Sequence, residues 1–458
     1  MNTTINRLAT RVAGPAIAVA ALGVSAATAQ DYELSGQRAT EYRIVELNDL
    51  DGPINSANGI NDDRLLTGFA DLPGGDNRHA QLWLYGFNFD LGTLGGPNSN
   101  VPWPVKNRIG LIAGIAQHAT PEPLQQQWSC RSFFSFNTRR GFICSAVVWE
   151  NGKIRELPTL GGVNGFATAA NNHRQIVGWA QNTTLDPSCN TTFVKQQFLA
   201  VQWGPGEEQK KVLPPLQGDT TTAATAINDS GQVVGISGNC GTAVGGTSGR
   251  EAVMWHKNKT TIIGNLGGIA WNTPMALNER GDVVGFSNVS AASGATPNWH
   301  AFYWNKHTGI KDLGALDGYP LSQALGINEK RQIVGTSCTT DFNACRAWIY
   351  ENGRMTDLNE RLPAGYTDLL YEANDINNDG EIAAQAQTPG TEEYTALWMI
   401  PERRSRGHAN DAGDSPGAMA RNDDGMDARK AVVPLPRAVR QALLQRHGLN
   451  ERGMPATE

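Results

Sequence analysis

The chain has 458 residues, 38 Lys and Arg against 44 Asp and Glu, and a formal net charge of −6. With no basic field, nucleic acid is a poor partner. Its 51 glycines and 18% charged residues describe a turn-rich, weakly charged chain of the all-β kind.

Arg7 and Arg11 precede an apolar, small-residue run from Ala13 to Ala27 that is too short to span a bilayer, and Ala27-Thr28-Ala29 fits the small-x-small cleavage rule. Residues 1–29 therefore read as a signal peptide and 30–41 as a lead, with the mature chain starting near Gln30 or Asp31. A retained membrane anchor is the alternative. No later segment is apolar enough to span a membrane.

From residue 42 to 400 the chain repeats one unit seven times. Each copy opens on an Asn: Asn61, Asn107, Asn171, Asn228, Asn278, Asn328 and Asn377. A turn and a short apolar strand ending near Gly follow, most cleanly in INDSGQVVGIS from Ile227 to Ser237. Four copies place Gly three residues after the Asn and three place Arg there, which reads as a hairpin turn needing positive φ. A second strand closes on Trp83, Trp149, Trp203, Trp255, Trp304, Trp348 or Trp398, the expected blade-packing residue. A third ends in Leu-x-x-Leu-Gly-Gly or a relative, as in DLGTLGG from Asp90.

One copy of the third element, LNDLDG from Leu47, stands before any Asn or Trp element, and the last unit stops at its Trp strand. In a ring, Tyr42 to Leu50 completes the blade begun by Asn374 to Ile400 and no sheet edge is left open. The expected fold is an all-β, seven-bladed β-propeller closed by an N-terminal strand. A linear β-solenoid is the alternative, although its capping repeats are not found.

These residues resemble the HAF repeat family, named for a His-Ala-Phe motif and described as extracellular repeat proteins. The resemblance covers about Tyr42 to Ile400 and rests on His300-Ala301-Phe302-Tyr303-Trp304 and on DLGTLGG at Asp90 to Gly96. It implies export and a repeated β fold, and carries no reaction or ligand. Only two copies keep the His, His79 and His300; the others have Ser145, Leu199, Glu251, Arg346 and Thr395. No carboxylate is seen at matching spacing, so both histidines read as structural.

All six cysteines fall between an Asn hairpin and the following Trp strand, and disulfides are the default in an oxidising compartment. Their positions predict Cys130 bonded to Cys144, Cys338 to Cys345, and an inter-blade bond from Cys189 to Cys240. Zinc spacing is absent. Asp375, Asn377, Asp379 and Gly380 match half of a calcium loop, but Ala386 stands where the bidentate carboxylate belongs, and an ordinary hairpin is expected. Nucleophile, phosphate-loop and zinc-protease motifs are absent, so no catalytic residue, cofactor or metal is nominated.

The stretch from Asn to Trp varies from 20 to 42 residues, and strand alternation puts that variable loop on the same face as the LGG turns. The longest loop, Gln117 to Ser145, carries Trp128, Phe133, Phe134 and Phe136 beside Arg131, Arg139 and Arg140. Exposed aromatics stack on sugars and arginines fork onto carboxylates, so an acidic glycan or an anionic protein surface is the expected partner. The opposing possibility is that these aromatics fold down as a satellite core. Residues 401–458 are expected to be mostly disordered, with a short helix over 436–447. The functional reading is a secreted or periplasmic binding module acting through that loop face. A secreted hydrolase or lyase with its site on the same face, and a purely structural surface protein, are the alternatives.

Overall fold

The computed structural model describes residues 40–127, 130–135, 137–138, 141–189, 194–206, 209–240, 249–289, 298–402, 440 and 444. Seven four-stranded antiparallel sheets follow one another, spanning 55–90, 95–156, 161–213, 221–264, 273–314, 321–357 and 369–401, and are numbered here as blades 1 to 7. In blade 4 the strands run in order a to d from the inside: Thr221–Ile227, Val233–Gly238, Glu251–His256 and Lys259–Gly264. Blade 7 takes its outer strand from the other end of the chain. Tyr42–Glu46 pairs antiparallel with Tyr394–Pro401, Tyr42 opposite Pro401 and Glu46 opposite Leu397. The chain is a closed seven-bladed β-propeller, as its permuted repeat predicts.

The repeated Asn closes the ring. Its side-chain oxygen accepts from the backbone N–H two and four residues on, as Asn171 does from His173 and Gln175, both at 3.0 Å. Its amide then donates to the next blade: Asn228 to the carbonyl of Asn278 at 3.1 Å, Asn278 to Asn328 at 3.2 Å, and Asn377 back to Asn61 at 3.2 Å. Asn107 departs from this pattern, donating to Ala170. Asp or Ser would keep the acceptor and lose the amide donor, which is why the position reads Asn seven times. Positive φ falls three residues later in every copy, on Arg64, Arg174 and Arg331 as well as on the four glycines.

Six of the seven copies keep a Gly seven residues after the Asn, blade 7 having Ala384 there, and this Gly answers a different need. The inner strand carries a bulge opposite it, and a Cβ on Gly235 would run into the carbonyl of Ala223 and approach Trp255 to 2.9 Å. Trp149, Trp255 and Trp348 thus pack where Gly114, Gly235 and Gly335 leave room. Trp83, Trp203 and Trp255 each donate an indole N–H to a carbonyl in the connection between blades, those of Asn48, Pro158 and Pro214. All three expected disulfides are present, the Cys189 to Cys240 bond joining the loops of blades 3 and 4.

Candidate functional site

The LGG turns and the loops between strands b and c share one face, and the Asn hairpins and c–d hairpins share the other. On the first face, Cys130 to Phe133 forms one helical turn in the long loop of blade 2. Phe133 and Phe134 are buried there, Phe133 edge-on to Trp103 and Phe166 with ring centroids 5.7 and 5.0 Å away. These two rings extend the core and offer no exposed stacking surface. Arg131 is part-buried, and Trp128, Phe136, Arg139 and Arg140 lie outside the described residues. Among the described residues the large exposed aromatics are instead Tyr85, Phe87 and Phe89 on the outer hairpin of blade 1. Two described residues near the C-terminus also lie here: Leu444 is buried in the apolar cluster containing Phe342 and Leu325, and Arg440 donates to the carbonyl of Asp341 at 2.6 Å.

The two family histidines have carboxylate partners, which corrects the expectation that none stands at matching spacing. His79 Nδ1 lies 2.8 Å from Asp90, and His300 Nδ1 2.9 Å from Asp312. The His of the HAF motif on strand c meets the Asp of the DLG motif on strand d. Burial pushes the Asp90 carboxyl up, but its bonds from His79 and from the Gly92 N–H outweigh that and hold it below the usual range. In blade 2 the same slot is filled by Ser145, which donates to Glu156 at 2.7 Å. The slot is a cross-strand clasp whose chemistry changes from blade to blade.

Carboxylates do gather at the mouth of the central channel on the hairpin face, around a cavity of about 190 Å³ lined by Asp62, Asp229, Glu279 and Glu329. Each has structural work. Asp229 accepts from the backbone N–H of Asn172, Glu279 from Asp229, Glu329 from Glu279, and Asp62 from Asn378. Burial, with the neighbouring charges of Asp229 and Glu329, raises the Glu279 carboxyl. Deeper in, Asp375 is fully buried against Lys106, and its burial outweighs the lysine and raises its pKa. The half calcium loop is therefore a hairpin, with Asp375 turned into the channel and Asn377 in the ring of amides. A cavity beside Lys106, between the inner strands of blades 3, 4 and 5, encloses about 10 Å³, room for about one water.

A recess lies on the hairpin face between blades 3 and 4. It measures about 350 Å³, is backed by the buried Trp255, and is walled by Lys211 and Gln202 on one side and Lys257, Lys259 and Thr260 on the other. Among the described residues no carboxylate lines it, and none of the three lysines has an acidic partner. Lys211 Nζ donates to the side-chain oxygen of Asn258 at 2.6 Å. Glu207 and Glu208 lie outside the described residues. Nothing in the sequence analysis singled out this groove. Its signal was the KK at Lys210 and HKNK from His256, which meet only when two blades are placed side by side.

Metal chemistry finds no seat in the one ligand-like group among the described residues, Asp186 with Cys189 and Cys240, because those sulfurs are bonded to each other. Among the described residues no helix is long and apolar enough to cross a membrane.

Fold and site together define a β-propeller with a cationic groove between two of its blades. No protein-family model matches the chain, and no curated protein matches it in sequence. Among solved structures it is similar to the acylaminoacyl peptidase of Pyrococcus horikoshii, at 9% identity and a TM-score of 0.43, over 78% of this chain and 52% of that one. The sialidase of Trypanosoma rangeli is similar at 11% identity and a TM-score of 0.36, over 79% and 60%. A gluconolactonase from Xanthomonas campestris is similar at 9% and 0.33, over 79% and 89%. The chain thus spans between half and two thirds of the length of the first two. At such identities and scores no activity passes from them to this chain.

Proposed function

We propose that the protein is an exported binding module of the HAF repeat family that holds an anionic ligand in the groove between blades 3 and 4. The observation that carries this reading is the one-sided chemistry of the groove: three lysines and, among the described residues, no carboxylate in its walls and no acidic partner for them, in a chain of net charge −6. Such a site attracts and holds an anion, while it lacks the acid and base pair that hydrolysis of a glycoside or ester requires. Three disulfides suit an oxidising compartment. The exposed Tyr85, Phe87 and Phe89 give stacking faces for an extended glycan.

The test is an array of anionic and neutral polysaccharides probed with the mature chain. Anionic polymers should be retained at low salt and released between about 50 and 500 mM, because screening weakens exposed charge contacts. Equal retention of neutral polymers, or turnover of chromogenic glycosides and esters, would overturn the reading.

A further inference from the structure

The groove lies in one of the gaps that lack a strap found elsewhere in the ring. In three of the seven gaps, the arginine three residues after the Asn reaches back to an acid of the preceding blade: Arg64 to Glu381 at 2.9 Å, Arg174 to Glu150 at 2.6 Å, and Arg331 to Asp282 at 2.8 Å. Between blades 3 and 4 the arginine slot holds Gly231. The two acid slots hold Gln175, four residues after its Asn, and Gly204, directly after its Trp. The equivalent recess between blades 2 and 3 is crossed by the strap from Arg174 and measures about 190 Å³, against about 350 Å³ here. Strap and acid are both gone, and lysines line the opening instead.

The donors facing this opening are compact. Lys211 approaches from blade 3, and Lys257 and Lys259 from the hairpin of blade 4. Gln175 has its side-chain oxygen occupied by the Asn171 amide at 2.8 Å, which leaves its NH2 group to the groove. No arginine is among the lining residues. Planar carboxylates are held best by the two-pronged guanidinium, whereas ammonium groups act as point charges that converge on a tetrahedral oxyanion from several directions. The volume lies at the small end of ligand sites, the size of one sugar unit.

Resting on the anionic-ligand reading above, we propose that the groove between blades 3 and 4 recognises a sulfate or phosphate monoester carried on a sugar-sized group, in preference to a uronic acid carboxylate. A sulfated glycan and a phosphorylated sugar share this chemistry and are separated by the probes.

The experiment is calorimetric titration of the mature chain with glucose 6-sulfate, glucose 6-phosphate, glucuronate and glucose. At least one ester should bind, glucuronate at least tenfold more weakly, and glucose not at all. The stronger ester names the source. K257Q/K259Q should weaken ester binding by more than tenfold with the melting temperature unchanged, while K311Q, on the outer strand of blade 5, should leave it intact. Glucuronate binding as tightly as the esters would overturn the ester preference and leave the anionic reading standing. Binding by none of the three anions would overturn both, and ester binding unchanged in K257Q/K259Q would remove it from this groove.

Discussion

At the scale of single residues, the repeat is a set of hydrogen-bonding and steric obligations. Asn is required by an amide that serves two blades, and Gly by a carbonyl that leaves no room for a Cβ. Buried acids show how far this economy extends. Asp71, 2% exposed and 3.0 Å from Arg78, is pushed by burial from its ordinary 3.8 to about 6, with the arginine opposing the shift. Its folded pKa lies above its unfolded one, so the folded state holds the proton more tightly. The burial cost is absent below about pH 4, grows as pH rises, and is complete above about pH 6, on the order of 3 kcal/mol. Asp71→Asn removes this component. The difference in stability between variant and parent, measured by denaturant unfolding from pH 4 to 7, should shift steadily in favour of the variant. A difference that does not change with pH would show that Asp71 is not buried as a charge.

At the scale of elements, the order of the repeat made the closing strand legible, because a third element standing ahead of the first Asn has only one sheet to join. Tyr42 is buried in the cluster with Leu397, Met399 and Leu358, and Ile44 packs against that cluster. Deleting residues 42–46 exposes the edge of Tyr394–Pro401 and opens a cavity at the blade 6 to blade 7 boundary. Thermal melting should drop by on the order of 5 °C or more, and the whole ring should still melt in one transition. An unchanged midpoint would contradict the role of this strand. The disulfides were legible for the same reason, since equivalent stretches of neighbouring units lie side by side. The His to Asp clasps were not: His79 and Asp90 are 11 residues apart, His300 and Asp312 are 12, and only the register of strands c and d brings each pair together. The groove was harder still, because Lys211 and the pair Lys257 and Lys259 come from different repeats and meet only when blades 3 and 4 stand side by side.

At the scale of the whole molecule, the two faces of the ring differ in kind. The hairpin face is tied by backbone and amide bonds and carries the cationic groove, whereas the loop face is filled by an apolar cluster running through six blades from Phe133 to Tyr394. Sequence reasoning weighed exposed against buried aromatics in the Cys130 to Cys144 loop and could not choose, because burial there depends on Trp103, Phe166 and Trp179 arriving from elsewhere in the ring. The same cluster holds Leu444. Leu444, 2% exposed, completes an apolar surface that the blades alone leave uncovered. Burying one leucine side chain contributes about 2 kcal/mol, or about 3 °C in a ring of this size. Leu444→Ala should therefore lower the melting temperature by that amount, and truncation after Glu402 should do the same while increasing the fluorescence of a hydrophobic dye. Truncation with no effect on melting or dye binding would mean that the segment does not rest on the loop face in solution.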